Sequence, residues 1–297
     1  MNINHPLIDD QHTNQGTANI QPGVLYVVAT PIGNLQDISQ RMCQILAGVS
    51  QIAAEDTRRT RQLLSHIGVN TPCFSLHEHN ERQKIELIVQ LLEKGESVAL
   101  VSDAGTPLIS DPGYPLVKAL RDRQLVVSPI PGPCAFIAAL SVAGLPTDRF
   151  IFEGFLPAKK GARLARLKHY ADETATLVFY ESSHRITESL QDMLVAFEES
   201  RQVVIARELT KTFETVLSGS VQSLIDILAQ DNNQTKGEFV VMVHGASKAN
   251  AEISPEAKTL ALKLAEHLPI KQAAKITAEV YSDKKNVIYQ FLLDNQK

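Results

Sequence analysis

A chain of 297 residues that is 44% hydrophobic and 21% charged has the make-up of an ordinary soluble globular protein, and it is long enough for two domains. Its formal net charge of -4 supplies no global attraction to nucleic acid, so an RNA partner has to be held by a local basic patch. The three cysteines, Cys43, Cys73 and Cys134, are widely spaced and form no CxxC pair, which argues against a disulfide framework or a zinc site and fits a reducing cytoplasm.

The opening MNINHPLIDDQHTNQGTANIQPG is polar, without a basic start or an apolar run, and reads as a disordered tail over residues 1–21 rather than a signal peptide or anchor. Val24 to Thr30 is a continuous apolar run suited to a central parallel strand, ended by Pro31 and Gly33 in the loop ATPIGNL. That loop is not a GxGxxG fingerprint. Ile38 to Ala47 is predicted to be a helix with Gly48 after its end, and Ser50 to Ala54 a second strand closing on Glu55-Asp56-Thr57-Arg58-Arg59. These charges edge a site, or the two acids sit at a solvated helix start. Cys73 to Leu76 is a short strand, and Asn80 with Gln83 three residues on predicts the capped start of a helix carrying Ile85, Ile88, Val89 and Leu92. His77 and His79 precede that helix; with no further cluster at zinc-like spacing, substrate contact or plain loop polarity outweighs a metal.

Ser97 to Val101 reads as a buried strand, and Asp103, Gly105, Pro107, Pro112 and Gly113 make the next stretch a shaped loop. In open α/β sheets ligands bind beyond the carboxyl ends of the strands, so this loop is the expected centre of a site. Tyr114 to Arg121 is predicted helical and Leu125 to Ile130 a strand, and PGPCAFIAALSVAG runs into a helix of small residues that suits a close approach to a sheet or a flat ligand. Repeated alternation of strand and helix up to Ala143 predicts a parallel-sheet domain over residues 22–147. Beyond it the strands VVIARE and TFETVLSG succeed one another with no helix between them, which predicts a mixed sheet in a second α/β domain over residues 148–246. After the linker SKANAEIS, residues 252–297 read as three short helices, either a helix-turn-helix-like extension or a capping bundle.

The motifs ATPIGNL, EDTRRT, SDAGTPLISDPG, PGPCAFIAAL, FYESSHR, ARELTKTFE and KGEFVVMV stand in the order found in one family. Over roughly residues 21 to 245 the chain resembles the tetrapyrrole-methylase superfamily of class III S-adenosylmethionine enzymes. Within it the chain is similar to the bacterial branch that methylates the ribose 2′-hydroxyl of a cytidine in the decoding region of 16S ribosomal RNA. Where superfamily relatives often carry Gly-Asp-Pro this chain has Gly105-Thr106-Pro107, a departure that suits the RNA branch over a porphyrin-type substrate. A small-molecule methylase of the same superfamily, or a non-catalytic RNA-binding protein, is the rival reading.

The resemblance implies a two-domain α/β tetrapyrrole-methylase-like fold with a small helical extension, acting as a cytoplasmic homodimer on the small ribosomal subunit. It implies S-adenosylmethionine as cofactor, while the residues themselves predict no metal and no membrane. By position, Ile32, Gly33, Ala104, Gly105, Thr106, Ile109, Cys134 and Ala135 line the cofactor site from the first domain, and Tyr180, Glu181, Arg207 and Phe239 close it from the second. Methyl transfer to a hydroxyl is an in-line displacement needing alignment and removal of a proton. Glu208 and Lys211 are the leading candidates, a carboxylate to accept the proton and a cation to steady the alkoxide, or else a structural ion pair. Glu181 and His184 come second. For RNA, Lys159, Lys160, Arg163, Arg166 and Lys168 form one basic cluster, with Lys159, Arg163 and Arg166 on a shared helical face. Arg58, Arg59 and Arg61 form another, a solvated face being the alternative for such runs.

Overall fold

The computed structural model describes residues 20–246, 253–281 and 285–295. Most of the expected N-terminal tail, most of the linker after Gly245 and the Ser282-Asp283 break lie outside the described residues. The last two tail residues are held: Ile20 packs against the first core and the Gln21 N–H donates to Tyr26 Oη at 2.9 Å.

Five short apolar strands, β1 (Val24–Val28), β2 (Gln51–Ala54), β3 (Cys73–Ser75), β4 (Val98–Val101) and β5 (Val126–Ile130), form an all-parallel sheet in the order β3-β2-β4-β1-β5. Helices α1 (Gln40–Gly48) and α2 (Thr57–His66) come after β1 and β2 and lie on one face, where Met42, Ile45, Leu46 and Leu64 pack on Val24, Tyr26, Val28 and Ile52. From β3 the chain reverses direction across the sheet. Right-handed crossovers therefore send α3 (Glu81–Glu93) and α4 (Tyr114–Asp122) to the other face, with Ile88, Leu92, Leu116 and Leu120 against Leu25, Ala53 and Leu100. The adjacent strands β1 and β4 thus lead into helices on opposite faces. That is a topological switch point, and the loops ATPIGNL and SDAGTPLISDPG both open there.

One local expectation holds in both its forms and another gives way to tertiary detail. In the EDTRRT run Glu55 and Arg59 edge a cleft, and Asp56 stands at a helix start as the N-cap of α2, its Oδ1 accepting from the Arg58 N–H at 2.8 Å. Asn80 does not cap α3 with its side chain; its Oδ1 accepts from the His77 N–H at 2.9 Å and its Nδ2 donates to the Ser75 carbonyl at 3.2 Å, so it closes the preceding turn instead.

Helix α5 (Ala135–Ala143) ends at Gly144 in the left-handed region and is the bridge to the rest of the chain. Its Ala139, Leu140 and Ala143 are buried against Val178, Val204, Ala206, Val240 and Met242 of the second sheet, the close approach that small residues permit. That sheet runs β6 (Phe150–Phe155), β7 (Thr176–Ser182), β10 (Glu238–Val243), β8 (Gln202–Arg207), β9 (Thr215–Ser220) in space. β6 and β7 are parallel and the other neighbours antiparallel, so the sheet is mixed. Its other face is covered by α6 (Lys160–His169), α7 (Ile186–Ala196) and α8 (Val221–Gln230) through Leu167, Leu190, Met193, Leu224 and Leu228. The helices α9 (Pro255–Ala265), α10 (Ile270–Tyr281) and α11 (Lys285–Asp294) pack round their own core of Ala257, Ala261, Ala273, Ala274, Ile288 and Leu292.

Candidate active site

The loop after β4 is tied to the loop after β1 by a two-way bridge: the Thr30 N–H donates to the Gly105 carbonyl at 2.8 Å and the Gly105 N–H to the Thr30 carbonyl at 3.0 Å. Gly105 makes this turn at φ +81°, where a side chain is strained. Further along, Leu108 (φ 74°) and Ser110 (φ 66°) also hold the left-handed region, although neither is glycine. Such strain persists only where surrounding structure enforces it, and it clusters at ligand sites. The Ser110 hydroxyl reaches Gly154 of β6, where β6 breaks register with β7. The strained loop therefore spans from the first sheet to the second.

Between the sheets lies a cleft of about 420 Å³, within the range of small-molecule sites. One wall comes from the first sheet's loops, Ile32, Asp103, Ala104, Gly105, Thr106, Ile109, Ser110 and Asp111, with Cys134 and Ala135 at the start of α5. Facing it are Phe155, Tyr180, Ser182, Ala206, Leu209, Lys211, Glu238, Phe239 and Val240 from the second sheet and its turns. Tyr180 sits among Phe152 and Phe155, ring centroids 5.0 and 5.6 Å away, and its Oη accepts from the Phe136 N–H at the start of α5 at 3.3 Å. Burial pushes its phenol up, so it stays protonated with a proton to donate.

The cleft is acidic on one side and cationic at one point on the other. Burial raises the Asp111 carboxyl to about 6; a hydrogen bond with Ser102 pulls the other way, and nearby Glu55 and Asp103 add to the rise. Glu55 is raised as well, chiefly by burial. Across the cleft, Lys211 Nζ donates to Glu208 Oε1 at 2.7 Å and to Glu238 Oε2 at 2.8 Å. Burial lowers the Lys211 ammonium, but its two carboxylate partners more than offset this and hold it above the usual range. Burial raises the Glu208 carboxyl, but the Lys211 hydrogen bond and the Glu238 N–H outweigh that and leave it lowered.

Of the residues expected at the cofactor, Ile32, Ala104, Gly105, Thr106, Ile109, Cys134, Ala135, Tyr180 and Phe239 lie on the cleft. Arg207 does not. Its guanidinium turns away from the cleft to bind the Lys236 and Phe213 carbonyls at 3.1 Å each, fastening the turns that flank β10 and β9. Gly33 is placed against the second sheet's loop, where an added Cβ would meet Lys211 Cγ at 2.5 Å and Thr210 Oγ1 at 2.9 Å. Its lack of a side chain lets the two halves close on each other.

The catalytic candidates separate likewise. Glu181 borders the cleft, but its fully buried carboxylate is spent on the Ser189 hydroxyl at 2.6 Å, the Arg185 guanidinium at 2.8 Å and the Ser182 N–H at 2.8 Å. His184 is exposed and off the cleft wall. Glu208 is the anchor of Lys211. Asp103, Ser110 and Asp111 line the cleft although sequence reasoning assigns them no role there; the signal for them is a shared loop with Gly105 at a strand's carboxyl end.

Arg163 is not on an RNA-facing surface. It is 1% exposed, its Nε donating to Asp192 Oδ2 at 2.7 Å and its Nη2 to Glu188 Oε2 at 3.1 Å. The helical face expected to carry Lys159, Arg163 and Arg166 outward is turned through Arg163 toward α7, because two acids wait there. Arg166 is engaged by Glu153 at 2.8 Å, leaving Lys159, Lys160 and Lys168 exposed. Arg58 and Arg59 are exposed on α2, Arg58 against Asp56 at 2.7 Å and Arg59 beside Asp103 at 3.4 Å, with Arg61 exposed alongside.

Among the described residues no group of three or more His, Cys, Asp or Glu is arranged to hold a metal ion, and no helix is long and apolar enough to cross a membrane.

Known proteins share both the fold and the sequence. Residues 24–225 match the model of the tetrapyrrole (corrin/porphyrin) methylases, and residues 251–296 match the RsmI C-terminal HTH domain. The chain is 52% identical over 271 residues to Ribosomal RNA small subunit methyltransferase I of Haemophilus influenzae, covering 91% of this chain and 96% of that one. It is 54% identical over 268 residues to the protein of the same name from Xylella fastidiosa strain Temecula1, covering 90% and 98%. Among solved structures, uroporphyrin-III-C-methyltransferase from Thermus thermophilus superposes with a TM-score of 0.53 at 17% identity, over 75% of this chain and 94% of that one. The methyltransferase CobJ gives 0.56 at 19%, over 75% and 95%.

Proposed function

The chain belongs to the tetrapyrrole (corrin/porphyrin) methylase family, and on that premise we propose that it transfers a methyl group from S-adenosylmethionine to a cytidine ribose 2′-hydroxyl in the decoding region of 16S ribosomal RNA. The observation that carries this reading is identity above one half with small-subunit ribosomal RNA methyltransferases over nine-tenths of the chain. The C-terminal helices, matched separately to a helix-turn-helix unit, favour RNA over a small substrate.

The cleft suits the donor. Small Ala104 and Ala135 and apolar Ile32, Ile109 and Val240 leave a flat apolar slot for an adenine, and the acidic side formed by Glu55, Asp103 and Asp111 favours a ligand of net positive charge. Bound there, S-adenosylmethionine supplies an electrophilic methyl group on a sulfonium. Ile32, Ala104, Gly105, Thr106, Ile109, Cys134, Ala135, Tyr180 and Phe239 would hold it. The chain's remaining work is to keep water out and to manage the proton of the acceptor hydroxyl. Lys211, fixed by Glu208 and Glu238, faces the cleft as a cation suited to a developing alkoxide. Glu208 is a poor base because its carboxylate is already bonded and lowered, so its part is to position Lys211. Asp111, raised toward neutrality by burial, is the better proton acceptor.

The enzyme would act in the cytoplasm, on the small ribosomal subunit, and as a homodimer. The exposed Ile137 and Val142 of α5, with Phe150 near its start, support a second copy there. Labelled methyl transfer, offered small-subunit RNA from cells lacking the modification and, in parallel, a tetrapyrrole, tests the reading. Label in the RNA alone is expected; label in the tetrapyrrole alone, or in neither with the donor bound, overturns it.

A further inference from the structure

A second groove, of about 330 Å³, opens beside the cleft between the loop after β1 and helix α2. Pro31 and Leu35 line it from the loop and Arg59, Gln62 and Leu63 from the helix, where they stand at i, i+3 and i+4 on one face. Arg59 and Asp103 border both hollows, so the groove runs into the cleft across the Arg59–Asp103 pair at 3.4 Å. Its loop wall is preformed, because Thr30 is bridged to Gly105 and Gly33 is pressed on Lys211. Leu35 is 44% exposed, an apolar side chain with little to cover it.

Apolar Pro31, Leu35 and Leu63, beside the Gln62 amide and the Arg59 guanidinium, form a surface for a flat ring with polar edges. A phosphate is poorly served, since the Arg59 guanidinium already faces Asp103. Arg61, exposed elsewhere on the same helix, is placed for a phosphate instead, Arg58 being already held by Asp56 at 2.7 Å. We propose that the groove receives the base of the target nucleotide, turned out of its RNA stack, and so sets its ribose at the mouth of the cleft. This rests on the RNA methyl transfer proposed above. A single-ring base lies with its face on Pro31 and Leu35, the Gln62 amide oxygen accepting from its exocyclic amino group and the Arg59 guanidinium donating to its ring acceptors.

The test uses Gln62→Ala and Leu35→Ala. Three quantities are measured: methyl transfer to small-subunit RNA, S-adenosylmethionine affinity by calorimetry, and the salt dependence of RNA binding. Each alanine variant is expected to lose about tenfold or more in kcat/KM for RNA, as removal of a base contact does. Cofactor affinity holds within about twofold, and the salt slope is unchanged because neither residue meets a phosphate. Unaltered kcat/KM in both alanine variants overturns the groove's role, as does an equal loss of cofactor affinity. A wild-type protein that methylates no RNA overturns the function itself, and the two failures are thereby told apart.

Discussion

Two buried charge systems invite comparison. On the outer layer of the second sheet, Arg163 of α6 meets Asp192 at 2.7 Å and Glu188 at 3.1 Å, opposite charges that satisfy each other. At the cleft, half-buried Asp111 is raised chiefly by burial, and the like charges of Glu55 and Asp103 add to the rise. A closed pair holds helices together; a frustrated cluster stores a readiness to bind a cation or a proton. Residue type alone does not separate the two. What separates them is how fully the neighbouring element answers the acid: Arg163 meets Asp192 at 2.7 Å, whereas at the cleft Arg59 reaches Asp103 at 3.4 Å and Asp111 has no ion-pair partner among the described residues.

The sharpest way to break the comparison is Arg163→Ala. It strands Asp192 in the core and is expected to destabilise the protein by about 3–5 kcal/mol, read by chemical denaturation. Arg166→Ala, one turn along and half exposed, serves as its control and should cost less than about 1 kcal/mol. Near-equal losses would remove the distinction between a core and a surface arginine on α6.

Asp111→Asn should move activity and stability in opposite directions. With a folded carboxyl at about 6 against 3.8 for the free group, the protonated form is favoured by folding. The contribution to stability is therefore fully present below pH 3.8 and is lost as pH rises through about 6. The neutral asparagine escapes that loss. It should stabilise the protein at pH 7–8 by about 1–2 kcal/mol after allowance for partial exposure, and the gain should vanish in acid. The same change should lower kcat about a hundredfold, and the wild-type rate should fall below about pH 6. An asparagine variant that is both active and unstable would make Asp111 an ordinary structural acid.

The smallest expected effect concerns the arginines at the surface. Arg58→Ala with Arg61→Ala should reduce the slope of log affinity for RNA against log salt by about 2 at most, one per lost phosphate contact. Lys159→Ala with Lys160→Ala gives the matching value for α6. If neither pair moves the slope, the RNA lies on another surface.

Much of the fold is legible in the sequence. Unbroken apolar runs such as VLYVV and VALV fix buried parallel strands, and VVIARE leading directly into TFETVLSG fixes the antiparallel pair of the second sheet. The loop after β4 announces itself through Asp, Gly and Pro at a strand's carboxyl end. The hidden part depends on contacts far apart in the chain. Arg163 turns inward because of Asp192, 29 residues later, and Arg207 is taken up by Lys236, also 29 residues away. Gly33 is spoken for by Lys211 across the two halves, and no local pattern carries that information. Asn80 departs from its expected role for a nearer reason: its amide finds the turn behind it before the helix ahead.

The central claim is that the methyl group goes to a ribose oxygen of ribosomal RNA, and alkaline hydrolysis of the labelled product tests it most directly. Methylation of the 2′-oxygen removes the nucleophile that cleaves the adjacent phosphodiester. The label is therefore predicted in an alkali-resistant dinucleotide whose 5′ member is a cytidine. Label released among ordinary mononucleotides would place the methyl group on a base and contradict the account.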